Sequence, residues 1–205
     1  MTPASRRRIV LASRSPRRLE LAQAEGWIVT VAAPPEMAEA EQPPQAPAES
    51  LEAYVVRLAG AKAAAVAATG ITGTLVACDT LSEVEGQILG QPTDAEHARQ
   101  MLLLFSGRRH RVVTGVCVWQ CPELPPLSAT AESLLEMGPL TPEFLDWYLA
   151  SGLWRGKAGA CGFQDERLPL ALVQGSPSNV VGLPVETLSQ LLATVDKALR
   201  SGQTP

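Results

Sequence analysis

The stretch IVLASRSPRRLELA, residues 9–22, passes from four apolar side chains through a small polar loop to Pro16, two arginines and an amphipathic run. Ile9–Ala12 reads as a short buried strand. Ser13 or Ser15 caps the helix that follows, and Pro16 suits its first turn, where a missing N–H costs nothing. The pattern predicts a helix to about Glu25, stopped by Gly26, and then a second strand over Trp27–Val31. A strand, a helix and a strand in such close succession point to an α/β fold.

The rest of the chain keeps this alternation. Residues 34–48, PPEMAEAEQPPQAPA, hold five prolines and no apolar periodicity, which marks a long irregular loop. Glu49–Thr69 has Leu51, Tyr54, Val55, Leu58 and Lys62 at helical spacings, and Gly70 and Gly73 end it. LVACDT, Leu75–Thr80, is a hydrophobic strand ending in Asp79, and Leu81–Leu89 is a hairpin turning at Glu85-Gly86. Thr93 and Glu96 form a capping box that opens a helix through Phe105, closed by Gly107. His110–Gln120 is a long strand, with Ala129–Leu135 as its antiparallel neighbour. A helix from Thr141 to about Ala150, a glycine-rich loop over 152–162, a strand over Leu168–Val173 and a helix over Leu183–Leu199 complete the chain. No internal repeat is visible. The expected class is α/β with a mixed sheet, as one domain over residues 1–205 with a short tail at 200–205.

Composition narrows the partners. At 205 residues, 46% hydrophobic and 19% charged, the chain can bury a proper core. Six of the 17 basic residues lie in the first 18 positions, although the net charge is -4. No basic stripe continues beyond that segment, which argues against a nucleic-acid partner. In SRRRIVLA, residues 5–12, the apolar run is far shorter than the roughly 7–15 residues of a signal-peptide core. The run Ala59–Ala68 carries Lys62 and is too short to span a bilayer, so a cytoplasmic protein with no membrane partner is expected. Cys78, Cys117, Cys121 and Cys161 form no CxxC and, with His97 and His110, match no zinc spacing. They are expected as small buried hydrophobes. Neither histidine pairs with a serine or cysteine nucleophile in a triad.

Two segments carry chemistry. A strand that runs through the SRSPRR loop, Ser13–Arg18, into a helix start presents unpaired backbone N–H groups and the positive end of the helix dipole. That is a ready anion site, and Arg14, Arg17 and Arg18 add donors suited to phosphate oxygens. The loop lacks the glycines and lysine of a P-loop. The same pattern also serves a helix start decorated with solvated arginines. Asp79, directly after an apolar strand, sits where open α/β sheets gather ligand-binding groups. There it would hold Mg²⁺ or take a proton from an attacking water, or else cap a turn through Thr80. Glu36, Glu39 and Glu41 lie in the proline-rich loop as further oxygen donors or as a solvated acidic stretch. Lys62, in a helix of otherwise low charge, and Lys157, in a flexible loop, are cations for a ligand or ordinary lysines.

LASRSPRRLELA, VVRLAGAKA, ACDT, ILGQP, FSGRRHRVVTGV, RGKAGACGFQ and NVVGLPVETL stand in this order over about residues 8–195. Together they resemble the successive signatures of Maf proteins, the septum formation inhibitors understood as nucleoside triphosphate pyrophosphatases. The resemblance implies a mixed, twisted sheet flanked by helices, with a deep nucleotide-binding cleft, related to the inosine triphosphatase-type fold and often homodimeric. It implies hydrolysis of a nucleoside triphosphate to the monophosphate and pyrophosphate with Mg²⁺ or Mn²⁺. Ser13, Arg17 and Arg18 would hold phosphates, and Lys62 and Lys157 would lie on the ligand. Asp79 would be the acid–base or metal residue, with Lys62 and Arg17 beside it in catalysis. Glu39 would be the loop carboxylate on the metal, with Glu41 as the alternative. Arg17-Arg18, Thr80 and Gln164 resemble the branch acting on dTTP and UTP, whereas the branch acting on 7-methyl-GTP tends to have Trp where Arg17 stands.

Two departures bear on activity. The family's lysine in its G-K-P segment is Gln91 here, and the loss of one charge-assisted contact is worth about 1.5–3 kcal/mol, or roughly ten- to a hundredfold in turnover. The segment GACGFQDERLP, residues 159–169, also departs from the family's GAYGIQGxGA. The alternatives that follow are a catalytically weakened nucleotide-binding regulator of division, with Arg155 as the cation that would stand in for Gln91, a purine-directed pyrophosphatase, and a non-nucleotide phosphatase releasing orthophosphate.

Overall fold

Strand β1, Arg8–Ala12, alternates between two cores: Ile9 and Leu11 face one, Val10 and Ala12 the other. The computed structural model in which this is seen describes residues 7–35, 43–165 and 167–202. Helix α1 runs over Pro16–Ala24 with Ser15 as its N-cap, and β2 over Ile28–Val31. Helix α2 spans Leu51–Ala67, capped by Ser50 and shorter at each end than the apolar spacing predicts. Arg57 grips both carboxylate oxygens of Glu49 at 2.8 Å and holds the Pro43 carbonyl at 3.1 Å, which anchors the described end of the proline-rich loop.

Strand β3 runs without a break over Gly73–Val84, turns at Glu85 and Gly86, both at positive φ, and pairs antiparallel with β4, Gln87–Leu89. The turn is as expected, because two left-handed residues match the twist of a hairpin. The expected end of the strand at Asp79 is corrected: Asp79 is an interior strand residue and caps no turn. Helix α3, Ala95–Phe105, is capped by Asp94, whose carboxylate accepts the His97 N–H at 2.8 Å. The Thr93 box is thereby corrected by one residue, since Asp94 stands at the N-cap and its charged carboxylate takes that N–H directly. β5 spans Arg109–Cys121, β6 Leu127–Met137, and α4 Pro142–Ser151 with Thr141 as its cap. The glycine-rich loop contains a 3-10 turn over Ala158–Ala160. β7 is Leu170–Gln174, α5 is a short helix over Pro177–Val181 that no sequence signal marked, and α6 is Val185–Ser201.

Among the described residues seven strands form one sheet in the order β2-β1-β3-β5-β6-β7, with β4 on β3. β1 pairs parallel with β2 and β3, while β6 pairs antiparallel with β7, so the sheet is mixed and the class α/β. The chain divides into two compact units. The first comprises residues up to Asp79, Thr114–Ala131 and Gly182 onward. In it Ile9, Leu11, Val76, Cys78, Val116 and Val118 pack against α1 and α6, while Leu75, Ala77 and Cys117 pack against α2 through Ala59, Ala63 and Val66. Strands covered on both faces read as continuous apolar runs, which is why LVAC carries no polar alternation. The second unit, Thr80–Val113 and Glu132–Val181, has its own core of Ala98, Met101, Leu102, Phe105, Leu145, Tyr148 and Trp154. Among the described residues no helix is long and apolar enough to cross a membrane.

Candidate active site

In the first unit the alternation of β3 decides where Asp79 points. Leu75 and Ala77 face α2, so Asp79, the next residue of that parity, faces α2 as well. Helix α2 is drawn tightly onto β5 at Gly115, where an added Cβ would sit 2.3 Å from the Val55 carbonyl oxygen. Val55, Ala59 and Lys62 share one helical face, so this close approach brings Lys62 down on the sheet. Its ammonium donates to Asp79 Oδ1 at 2.5 Å and reaches the Cys78 carbonyl at 3.5 Å. Both side chains are buried, 6% and 9% exposed. A buried charge costs several kcal/mol unless it is paired, so each is the other's reason for being tolerated there.

The parallel register sets Ala12 beside Ala77, so the chain leaves β1 into the Ser13–Arg18 loop next to Cys78 and Asp79. Ser13 is buried and its Oγ accepts the Ser15 N–H at 3.1 Å, folding the loop back. Ser15 Oγ accepts the Arg18 N–H at 3.4 Å and caps α1. Arg14 donates to the Pro34 carbonyl at 2.9 Å, and Arg18 Nε to the Gly182 carbonyl at 2.7 Å, which ties the helix start to the turn before α6. Arg17 is half-buried on the first turn. Ser13, Arg17, Arg18, Lys62 and Asp79 therefore belong to one neighbourhood within this unit. Desolvation pushes the Cys78 thiol up to about 11 against the opposing pull of Arg18 and Lys62, so it is no thiolate nucleophile.

The second unit holds Thr80, Gln91, Lys157 and Gln164. Thr80 follows Asp79 on β3 and is half-buried. Gln91 is exposed just after β4, and the backbone brings it towards the Lys157 loop, because Gly159 N–H donates to the Gly90 carbonyl at 2.9 Å. Gln164 is exposed in the turn after the 3-10 segment. Arg155, the candidate substitute for the missing lysine, lies over the Trp154 ring at 5.2 Å. Lys157 is paired with a residue that sequence reasoning missed: Asp165 takes its ammonium on both oxygens, at 2.5 and 2.6 Å. The signal was an acid directly after Gln164, inside the segment where this chain departs from GAYGIQGxGA. Glu36, Glu39 and Glu41 lie outside the described residues.

The histidines and thiols behave as structural groups. His97 receives the Thr93 N–H at Nδ1, and His110 stacks on Phe105 at 4.1 Å. Cys117 and Cys121 are buried with pKa values raised by desolvation, and burial pushes Cys161 up to about 12. Among the described residues no three His, Cys, Asp or Glu side chains cluster as a ready metal site. The Lys62 ammonium takes Oδ1 of Asp79, and Oδ2 is the second hard oxygen of this carboxylate, beside the Ser13–Arg18 loop.

The chain is similar over residues 8–195 to the Maf-like protein family. A dTTP/UTP pyrophosphatase from Rhodopirellula baltica is 39% identical over 96% of this chain and 86% of its own length. A nucleoside triphosphate pyrophosphatase from Streptomyces coelicolor is 38% identical over 94% of this chain and 93% of its own. Among solved structures, a HAM1 protein from Coxiella burnetii aligns at a TM-score of 0.39 and 19% identity, over 64% of this chain and 73% of that one. With the ordered motifs matched from β1 into α6, the chain belongs to the Maf family.

Proposed function

We propose that the protein hydrolyses nucleoside triphosphates to the nucleoside monophosphate and pyrophosphate, with dTTP and UTP preferred. The observation that carries this reading is the buried Lys62–Asp79 pair standing next in the sheet to the Ser13–Arg18 helix start. An anion-binding helix start supplies donors for the phosphates, and a buried carboxylate beside it supplies a base for the water. Similarity to enzymes named dTTP/UTP pyrophosphatase supports the substrate class. Arg17-Arg18, Thr80 and Gln164 support the pyrimidine preference through the branch they resemble.

In this reading Ser13, the first-turn N–H groups of α1 and Arg17 receive phosphate oxygens, and Arg18 presents its guanidinium from a position fixed by Gly182. Lys62 orients the Asp79 carboxylate and adds positive charge. Asp79 Oδ2 takes the proton of a water whose oxygen bonds to the α-phosphorus. The bond from that phosphorus to the bridging oxygen breaks, and pyrophosphate leaves with the electron pair. Lys157 corresponds to the KAG lysine that the family resemblance puts on the ligand, and would add positive charge for the phosphates. A carboxylate oxygen has two lone pairs, so Oδ2 also suits a hard cation, and one or two carboxylates with substrate phosphates is the oxygen set Mg²⁺ accepts. Asp79, with Glu39 as the second carboxylate, would hold it. When bound, Mg²⁺ or Mn²⁺ supplies Lewis-acid stabilisation of the phosphate charge. We further place the enzyme in the cytoplasm as a single-domain homodimer with no nucleic-acid or membrane partner.

A panel of ordinary and modified nucleoside triphosphates with each metal, separating monophosphate, diphosphate, pyrophosphate and orthophosphate, tests the reading. Monophosphate plus pyrophosphate from dTTP or UTP is expected. The same products from 7-methyl-GTP alone would move the protein to the purine branch, and orthophosphate alone would overturn the reaction. The neutral Gln91 favours one second reading, a nucleotide-binding regulator of septum formation, for which the panel would show binding without turnover.

A further inference from the structure

Lys157 is held more tightly than a substrate-binding lysine need be. Both oxygens of Asp165 take its ammonium, and the two side chains are only 12% and 9% exposed. The carboxylate is itself pinned: Oδ2 accepts the hydroxyl of the fully buried Tyr148 at 2.6 Å and the Gly162 N–H at 3.0 Å. The lysine stem lies across Gly162, where an added Cβ would meet Nζ at 2.9 Å and Cδ and Cε at 3.0 Å. Four residues of one unit thus converge on a single ammonium–carboxylate contact.

A carboxylate that grips an ammonium through both oxygens cancels its charge and directs its N–H groups inward. A phosphate oxygen that needs this lysine must therefore replace Asp165. The surroundings suit such an exchange, because Tyr148 and Gly162 still donate to the carboxylate after the lysine leaves it, so it need not become an unsatisfied buried charge. We propose that Asp165 is a built-in anion that competes with the substrate's polyphosphate for Lys157 and so sets substrate affinity. It is a positioning residue that touches Lys157 and not the reacting atoms. The inference rests on the proposed function only in taking Lys157 as a polyphosphate contact.

The experiment compares wild type with Asp165→Asn, Lys157→Met and the double variant in two assays. One is steady-state turnover of dTTP or UTP; the other is calorimetric binding of inorganic tripolyphosphate in metal-free buffer. Asp165→Asn keeps the shape and an acceptor for Tyr148 and removes the charge. It is expected to lower KM and tighten tripolyphosphate about tenfold, the worth of one charge-assisted contact, with the change in KM rather than kcat. Lys157→Met should weaken binding, and the double variant should match Lys157→Met, since the competition needs the lysine. Should Asp165→Asn not fold, Tyr148→Phe leaves the carboxylate more dependent on Lys157 and should shift KM in the opposite direction, upward, by less. A fall in kcat with KM unchanged in Asp165→Asn would make Asp165 a mere loop scaffold and overturn the proposal. Tripolyphosphate binding unaffected by Lys157→Met would overturn it as well. If no triphosphate is turned over but the tripolyphosphate pattern is as expected, the pyrophosphatase reading fails and this inference stands.

Discussion

Asp79 and Lys62 each remain buried on the strength of the other, so their variants should separate chemistry from folding. In Asp79→Asn the amide oxygen still accepts from the Lys62 ammonium. The variant is expected to keep a cooperative melting transition while turnover falls by about a thousandfold or more, the upper end for general acid–base groups. A near wild-type kcat would remove Asp79 from the mechanism. Lys62→Ala leaves a buried carboxylate without its cation and should cost about 3–5 kcal/mol in urea denaturation. His110 gives a pH signature of another kind. It is 3% exposed, and desolvation pushes it down to about 4 from 6.5. The folded state therefore binds this proton less readily than the unfolded chain. The stability is complete above about pH 6.5 and is lost as pH falls towards 4, by up to about 3 kcal/mol. His110→Phe, which keeps the stack on Phe105, should flatten the urea midpoint against pH over that window. Lys62 was legible as a cation in an alanine-rich helix of otherwise low charge and Asp79 as the acid of an apolar strand. Asp165 was not, because its meaning lies in contacts with Lys157 and with Tyr148, 17 residues away in sequence.

At the scale of elements, the position of Lys62 depends on a residue it never touches. Gly115 admits the α2 backbone to within 2.3 Å of where a Cβ would be, so Gly115→Ala must push the helix off β5. Overpacking of this kind costs about 1–3 kcal/mol. A thermal shift with a matching loss of turnover is expected, and full activity would show that Lys62 tolerates the displacement. The start of α3 offers a cleaner comparison. Asp94→Ala should cost about 1 kcal/mol and Thr93→Ala less, as chemical denaturation of the pair will show, because Asp94 carries the cap. The sequence marks helix starts through short polar side chains, but neighbouring Thr93 and Asp94 both fit, and only backbone direction chooses between them. Strand ends suffer the opposite ambiguity. The polar residues Asp79, Thr80 and Ser82 looked like the exit from a strand, yet β3 runs through them to Val84.

For the whole molecule, neither compact unit is continuous in sequence, since β3, β5 and β6 each pass from one to the other. Cutting either unit out would sever strands that carry its core, so unfolding should be a single transition. The tryptophans report on this without added labels, with Trp27 and Trp119 in the first unit and Trp147 and Trp154 in the second. Fluorescence melts of Trp27→Phe/Trp119→Phe and of Trp147→Phe/Trp154→Phe are expected to have coincident midpoints once each variant is referred to its own far-UV melt. A gap of several degrees between the probes would mean that the units unfold independently.

The sequence by itself determined the α/β class, the order of nearly all the elements, the helix start at Ser13–Arg18 and the family. These rest on local matters: apolar runs, caps, glycines and motifs that neighbours along the chain complete. Only the tertiary structure decided that Asp79 lies within a strand and faces α2, that Gly115 seats the helix carrying Lys62, and that Asp165 holds Lys157. A carboxylate, a glycine and a lysine have no fixed role in sequence. Their roles come from the side chains and backbone that burial brings against them, and packing between distant segments sets those neighbours.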